Sequence, residues 1–146
     1  PKILLPEEKL GEQITTLLSC SLEEELANFV SLSEFPEIGY IETTNQHKPG
    51  MLSYAYYFTT NDDLIYYSGD IGNADVAANF LKGRTESNIM VFHETSPRVD
   101  VGSHASYLEV QEKLGNYDTY VYHIAKENMP ADCTLKYVED YSEFLY

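Results

Sequence analysis

The sequence predicts an α/β fold in which a mixed β-sheet is flanked by helices. Short apolar runs typical of buried strands alternate along the chain with amphipathic segments typical of helices. The 146 residues have the length of about one domain, and 43% hydrophobic residues is enough to build a core. No repeat, low-complexity tract or linker appears in the sequence.

The first part of the chain is predicted to form a strand and two helices. The apolar run from Lys2 to Leu5 is closed by a proline, as expected for a buried strand. From Glu7 to Leu18, apolar residues recur every three or four positions, which predicts an amphipathic helix. Ser21 and Glu24 form a capping box, and the apolar spacing behind them predicts a second helix that continues to about Ser31.

The remainder is predicted to contain six strands and two helices. The runs Ser53–Thr60 and Leu64–Ser68 flank a turn of three polar residues, which predicts a β-hairpin. The other strands are predicted at residues 38–43, 88–92, 119–122 and 134–138, the helices at 75–82 and from 103 or 105 to 114, and a terminal turn at 141–146.

The charge balance limits the class of substrate. With 24 acidic and 9 basic residues, the net charge is -15, and such a surface repels phosphate backbones. RNA is therefore disfavoured, and phosphate chemistry on this chain would need bound cations and a small substrate. The plainer interpretation of the charge is solubility.

The chain shows no feature of a membrane or secreted protein. It has no apolar run of 18 residues and no basic-then-apolar segment at its start, which predicts a soluble, cytoplasmic protein. Cys20 and Cys133 lie far apart without a CxxC spacing, which fits free thiols in a reducing compartment.

Imidazole and carboxylate side chains stand at the ends of the predicted strands or in the loops beside them. Because open α/β sheets build their sites at strand ends, this pattern predicts a zinc or manganese site. Taken singly, each residue has a plainer interpretation, such as a surface histidine, a helix N-cap or a solvated carboxylate. The candidates are His47, Asp70, Glu94, His104 and His123.

These residues belong to five short motifs in a definite order. The motifs are His47 before a hairpin, Ser-Gly-Asp at 68–70, His-Glu-Thr at 93–95, Gly-Ser-His-Ala-Ser at 102–106 and Tyr-His-Ile at 122–124. Over residues 38–125, this order resembles the second half of a metallo-β-lactamase-fold hydrolase, and most nearly the tRNase Z-type phosphodiesterases. The resemblance implies half of an αββα sandwich, with a mixed β-sheet flanked by helices.

The resemblance also implies roles for these residues. It makes Asp70 a carboxylate that bridges two divalent metal ions, with His47 on one ion and His123 on the other. Zinc is the expected metal, with manganese or iron as alternatives. His104 would contact the scissile phosphate as general acid, and Glu94 would orient it. His93 is the less certain member of its motif.

One departure from the family pattern concerns the main metal motif, HxHxDH, which does not occur in this sequence. Residues 1–146 are therefore expected to be the C-terminal half of such a domain, with an N-terminal half as the missing partner. The alternatives are a separate polypeptide that supplies the missing half, or a decayed relative that binds one metal or none.

The function expected from these arguments is metal-dependent hydrolysis of a small phosphodiester such as a cyclic nucleotide, by a homodimer. A lactonase-like or β-lactamase-like activity is the alternative among enzymes. A non-catalytic binding or regulatory protein on the same fold is the alternative from another class.

Overall fold

Residues 2–18, 28–99 and 102–141 are described by the structure, which is a computed structural model. The chain divides into two compact units, Pro1–Gly39 and Tyr40–Tyr146. No helix among the described residues is both long and apolar enough to cross a membrane.

The first unit is built on a pair of parallel strands. Strand β1 (Lys2–Leu5) is followed by helix α1 (Glu8–Leu18), and β2 (Asn28–Ser31) then returns beside β1. A single 3-10 turn, Leu32–Glu34, follows β2. The predictions of a strand at residues 2–5 and of a helix to Leu18 are confirmed.

The prediction that a second helix continues to Ser31 is wrong. Residues 28–31 form β2, where Phe29 pairs with Ile3 and Val30 pairs with Leu4. Aromatic and β-branched side chains fit a strand well, and pairing with β1 outweighs the helical spacing of the apolar residues. The predicted start of this helix, at Ser21 and Glu24, lies outside the described residues.

A six-stranded mixed sheet, whose strands follow one another in chain order, lies in the second unit except for Ile38 and Gly39 at the start of its first strand. The hairpin pair β4–β5 is antiparallel, and β5, β6, β7 and β8 are successively parallel. The strands are β3 (Ile38–Glu42), β4 (Tyr54–Thr59), β5 (Asp63–Tyr67), β6 (Asn88–Glu94), β7 (Asp118–Tyr122) and β8 (Lys136–Tyr137). The helices are α2 (Asp75–Leu81), α3 (Tyr107–Leu114) and α4 (Val138–Tyr141).

One face of this sheet forms the core with helices α2 and α3. Along each strand, the residues that face this core alternate with residues that face the other side of the sheet, because successive side chains of a β-strand point to opposite faces. The fully buried members include Leu64, Tyr66, Val91 and Val121 from the strands and Ala77, Leu81, Val110 and Leu114 from the helices.

The opposite face of the sheet is rich in aromatic side chains. Tyr56, Tyr67, Phe92 and Tyr120 lie opposite one another in successive strands, and Phe92 stacks on Tyr120 with ring centroids 5.4 Å apart. Phe58, Ile65 and Tyr67 are 44%, 36% and 42% exposed on this face. We call it the aromatic face.

The predicted mixed α/β architecture and hairpin are confirmed. The predicted strand at 134–138 is shorter than expected, since only Lys136 and Tyr137 pair with β7. Of the predicted terminal turn, Tyr141 ends α4, and residues 142–146 lie outside the described part of the chain.

Candidate metal centre

Three parallel strands deliver candidate side chains to one edge of the sheet. Glu94 is the last residue of β6, His123 directly follows β7, and Asp70 lies three residues after β5. Because these strands run parallel, their carboxyl ends share one edge. The local sequence therefore places these residues together once the strands are in register.

Glu94 is the centre of this arrangement. Its side chain is 0% exposed, and Oε1 accepts the Ile71 backbone N–H at 3.0 Å. Oε2 lies 2.7 Å from Nδ1 of His104 and 3.2 Å from Nδ1 of His123. An ionised carboxylate can only accept hydrogen bonds, so both rings donate from Nδ1. One buried carboxylate thus fixes the orientation of two imidazoles.

His47 stands beside this pair and is held in a similar way. Its Nδ1 lies 2.6 Å from the Ser103 carbonyl oxygen, which only accepts, so Nδ1 carries the proton. Ring centroids are 5.0 Å apart between His47 and His104, and 5.1 Å apart between His104 and His123. In each of the three rings Nδ1 is the bonded nitrogen, so Nε2 is the nitrogen left to face a ligand or a substrate.

Glycine residues let the loops that carry these side chains approach closely. Gly72 donates its N–H to the Gln46 carbonyl oxygen at 2.6 Å. A Cβ on Gly72 would lie 2.5 Å from that oxygen and 3.0 Å from the Gly102 carbonyl oxygen. The absence of a side chain there brings the loop after β5 against the loops of His47 and His104.

Asp70 lies at the margin of the site. Its Oδ1 is 3.7 Å from Nδ1 of His123, and its side chain is 54% exposed. That distance permits an ion pair but exceeds a hydrogen bond. Asp70 therefore presents an exposed carboxylate beside His123.

The structure groups the candidates differently from the predicted metal set of His47, Asp70 and His123. Within the described ranges, the group of three whose ligand atoms all lie within 4.8 Å is Glu94, His104 and His123. His47 contacts this group through His104, and Asp70 contacts it through His123. All five predicted residues therefore lie in one cluster, while their individual roles stay predictions.

His93 does not join this cluster. It is fully buried, and Nδ1 donates to the carbonyl oxygen of Glu94 at 2.6 Å. Burial lowers the pKa of His93, because the charged imidazolium is poorly solvated there. His93 pairs with Val121 across the strands and is one of the side chains buried in the interior.

Two hydroxyl groups beneath the site were missed by the sequence analysis. Ser68, which is 0% exposed, accepts the Glu94 backbone N–H at 3.0 Å. Tyr122 lies 3.0 Å from the Ser68 hydroxyl, and burial raises the pKa of Tyr122. The sequence shows that Ser68 and Tyr122 lie close to Asp70 and His123 along the chain. Only the register of the strands shows that the two hydroxyl groups contact each other.

The donor set fits a divalent ion. Imidazole nitrogens and a carboxylate are ligands that zinc, manganese and iron accept, and three of them lie within 4.8 Å of one another. Histidines that bind metals usually donate their second ring N–H to a carboxylate or a backbone carbonyl, as His47, His104 and His123 do here.

Solved structures share this fold. The metallo-β-lactamase fold protein YhfI from Bacillus subtilis is 15% identical with a TM-score of 0.58, over 87% of this chain and 54% of its own. This chain has the metallo-β-lactamase fold. An isothiocyanate hydrolase from Delia radicum gut bacteria is 16% identical with a TM-score of 0.56, over 99% of this chain and 59% of its own. No protein-family model and no curated protein matches the sequence.

The chain spans a little over half of the length of each of these two solved structures. The prediction of this fold is confirmed, and the tRNase Z-type branch stays a prediction.

Proposed function

We propose that this chain carries part of the active site of a metal-dependent hydrolase that cleaves small phosphodiesters, such as cyclic nucleotides. The observation that carries the proposal is the buried Glu94 carboxylate, which orients His104 and His123 at one sheet edge. The metallo-β-lactamase fold supports it, and one protein of similar structure is a hydrolase of isothiocyanates.

In this proposal, His47, Asp70 and His123 form the metal-binding side of the site. Nδ1 of His47 donates to the Ser103 carbonyl oxygen and Nδ1 of His123 donates to Glu94, so each ring offers Nε2 as a ligand. Asp70 adds an exposed carboxylate within 3.7 Å of His123. A divalent ion bound here would supply a Lewis acid and positive charge beside a phosphoryl group.

His104 is proposed as the general acid. Glu94 holds its Nδ1 at 2.7 Å, so Nε2 is the nitrogen left to give a proton to the leaving oxygen. The His104 side chain is 27% exposed, whereas Glu94 is fully buried. The imidazole can therefore meet a substrate while the carboxylate that positions it stays out of solvent.

We further propose that residues outside this chain complete the site, since a two-metal centre needs more ligands than this cluster provides. The matched structures extend well beyond the region that aligns with this chain. The aromatic face supports this, because exposed Phe58, Ile65 and Tyr67 form an apolar surface suited to packing against a second sheet.

The small size of the proposed substrate follows from charge. A net charge of -15 repels long polyanions such as RNA, whereas one phosphodiester group brings a single negative charge. The bond cleaved in a lactone or β-lactam ring carries no charge, and hydrolysis of either is the competing activity.

The test measures metal binding and hydrolysis separately, on a protein that contains this chain together with the residues proposed to complete its site. Zinc and manganese binding is measured by equilibrium dialysis, and bis(p-nitrophenyl) phosphate and cyclic nucleotides serve as substrates. We expect Asp70→Asn to lower the metal affinity and the rate of hydrolysis by at least about tenfold each. Asp62→Asn is the matched control, because Asp62 is an exposed aspartate at the other end of β5 and lies away from the site.

His104→Gln separates the two assignments of this residue. If His104 is the acid, the variant loses about a hundredfold in hydrolysis and keeps its metal affinity. If metal binding is lost instead, His104 is a ligand together with Glu94 and His123. Metal binding without turnover of any phosphodiester would favour a non-catalytic protein on the same fold and contradict the proposal.

A further inference from the structure

Beneath the cluster, two hydroxyl groups and one carbonyl oxygen form a compact triangle. The Ser68 hydroxyl lies 2.7 Å from the Gly69 carbonyl oxygen and 3.0 Å from the Tyr122 hydroxyl. The Tyr122 hydroxyl lies 2.9 Å from the same carbonyl oxygen. Two hydroxyl hydrogens are available for these three short contacts, so two of the contacts can be hydrogen bonds at one time, and the carbonyl only accepts. We call this group the hydroxyl triangle.

The hydroxyl triangle joins the ends of three strands. Ser68 and Gly69 follow β5 and lead directly to Asp70, while Tyr122 ends β7 and precedes His123. The Ser68 oxygen also accepts the backbone N–H of Glu94, the last residue of β6. Each strand that carries a candidate side chain therefore ends next to Ser68, whose hydroxyl contacts both Glu94 of β6 and Tyr122 of β7.

Both neighbouring backbones adopt a conformation that needs support. Gly69 has φ of +62°, and His123 has φ of +72°, which is unusual for a residue with a side chain. Such residues persist where surrounding contacts hold them. The hydroxyl groups of Ser68 and Tyr122 contact the carbonyl oxygen of Gly69 itself, and Tyr122 directly precedes His123.

We propose that Ser68 and Tyr122 are positioning residues that set the spacing of Asp70, Glu94 and His123, and through it the affinity and geometry of the metal site. The metal part of this inference rests on the proposed function. The inferred effect on the spacing of Asp70, Glu94 and His123 depends only on the hydrogen bonds described above.

Tyr122→Phe is the cleaner variant. The Tyr122 ring stacks on Tyr67 with centroids 5.2 Å apart and planes within 6°, and phenylalanine keeps that stack. The hydroxyl alone is removed, while Ser68 can still donate to Gly69 and accept from Glu94. Ser68→Ala removes more, since it leaves the buried Glu94 N–H without its acceptor.

Tyr120→Phe is the matched control, because it removes a hydroxyl from the same strand and the same sheet face, two residues from Tyr122. Tyr120 stacks on Phe92 and takes no part in the hydroxyl triangle. The first readout is the imidazole ¹⁵N resonances of His104 and His123 in metal-free protein. The second is the visible spectrum and dissociation constant of the Co²⁺-loaded protein.

We expect Tyr122→Phe to shift both imidazole resonances, to change the Co²⁺ spectrum and to weaken Co²⁺ binding about tenfold. Its urea unfolding midpoint should match that of Tyr120→Phe. Imidazole resonances that stay unchanged in both Tyr122→Phe and Ser68→Ala would overturn the positioning role.

Shifted resonances with an unchanged Co²⁺ dissociation constant would overturn the link to metal affinity. Failure of the unaltered protein to bind Co²⁺ would instead contradict the proposed function, and the metal-free resonances would still decide the positioning role.

Discussion

Gly69 is the residue at which the chain turns out of β5 toward Asp70, and two constraints act on it. Its φ of +62° favours glycine, and a Cβ there would lie 2.6 Å from the carbonyl oxygen of Tyr54. Gly50 has a similar φ of +77° but open space around its Cβ position. A comparison of substitutions at Gly69 and Gly50 therefore distinguishes the cost of backbone strain, which both share, from the cost of a steric clash, which only Gly69 has.

We expect Gly69→Ala to lower the free energy of unfolding by about 3 kcal/mol and Gly50→Ala by about 1 kcal/mol, because only the first adds a clash to the strain. Urea denaturation followed by circular dichroism measures both. Equal losses in the two variants would show that the Tyr54 contact relaxes at little cost.

For individual residues, the sequence predicted which side chains lie in the site but not which hydrogen bonds they make. His47, Asp70, Glu94, His104 and His123 stand at strand ends or in adjacent loops, which apolar runs reveal locally. That Glu94 serves two imidazoles, and that Ser68 meets Tyr122, depends on strand register and loop geometry. Those are long-range properties that no local spacing encodes.

Among the elements, helix α2 takes its N-terminal cap from another helix. Its first cap residue, Ala74, has no side-chain acceptor, and the Ala74 N–H donates instead to Oε1 of Glu109 in α3 at 3.0 Å. Lys113 bridges Glu109 and Asp75, and these hydrogen bonds raise the pKa of Lys113. The helix that follows the Asp70 loop is thereby anchored.

Glu109→Ala should lower the free energy of unfolding by about 1 to 2 kcal/mol, because it removes the cap and a partner of Lys113. Glu112→Ala, at an exposed position of the same helix, should change it by less than about 0.5 kcal/mol. Chemical denaturation of both variants makes the comparison. If Glu109→Ala behaves like Glu112→Ala, water caps α2 equally well.

The elements also show where helical spacing misleads. Apolar residues up to Val30 recur at helical intervals, yet residues 28–31 form a strand because β1 offers a parallel partner. In contrast, the hairpin and the strand predicted at residues 88–92, which extends to Glu94 in the structure, were predictable from local sequence. A continuous apolar run and a polar turn are strong signals whatever the neighbours are.

A tyrosine buried in the core lowers the stability of the whole molecule at high pH. Tyr66 is fully buried, and burial raises its pKa above the value near 10 of an exposed tyrosine. Above pH 10, the unfolded chain therefore releases this proton while the folded chain keeps it. Stability is retained below pH 10 and falls as the pH rises further.

Tyr66→Phe should reduce this alkaline loss by up to about 1.4 kcal/mol per pH unit, because phenylalanine has no proton to release. At pH 8 it should not destabilise the protein, since the Tyr66 hydroxyl has no hydrogen-bond partner among the described residues. Urea denaturation at pH 8 and at pH 10 to 11 gives both values. An unchanged alkaline slope would contradict the expectation.

The aromatic face and the acidic surface act on the same molecule in opposite directions. Exposed Phe58, Ile65 and Tyr67 attract other apolar surfaces at short range, whereas a net charge of -15 keeps like molecules apart at longer range. Added salt shortens the range of that repulsion to about 8 Å at physiological ionic strength, but leaves the apolar attraction in place. Ionic strength therefore controls the colloidal behaviour of this chain: dilute buffers favour dispersed molecules, and concentrated salt favours contact between sheet faces.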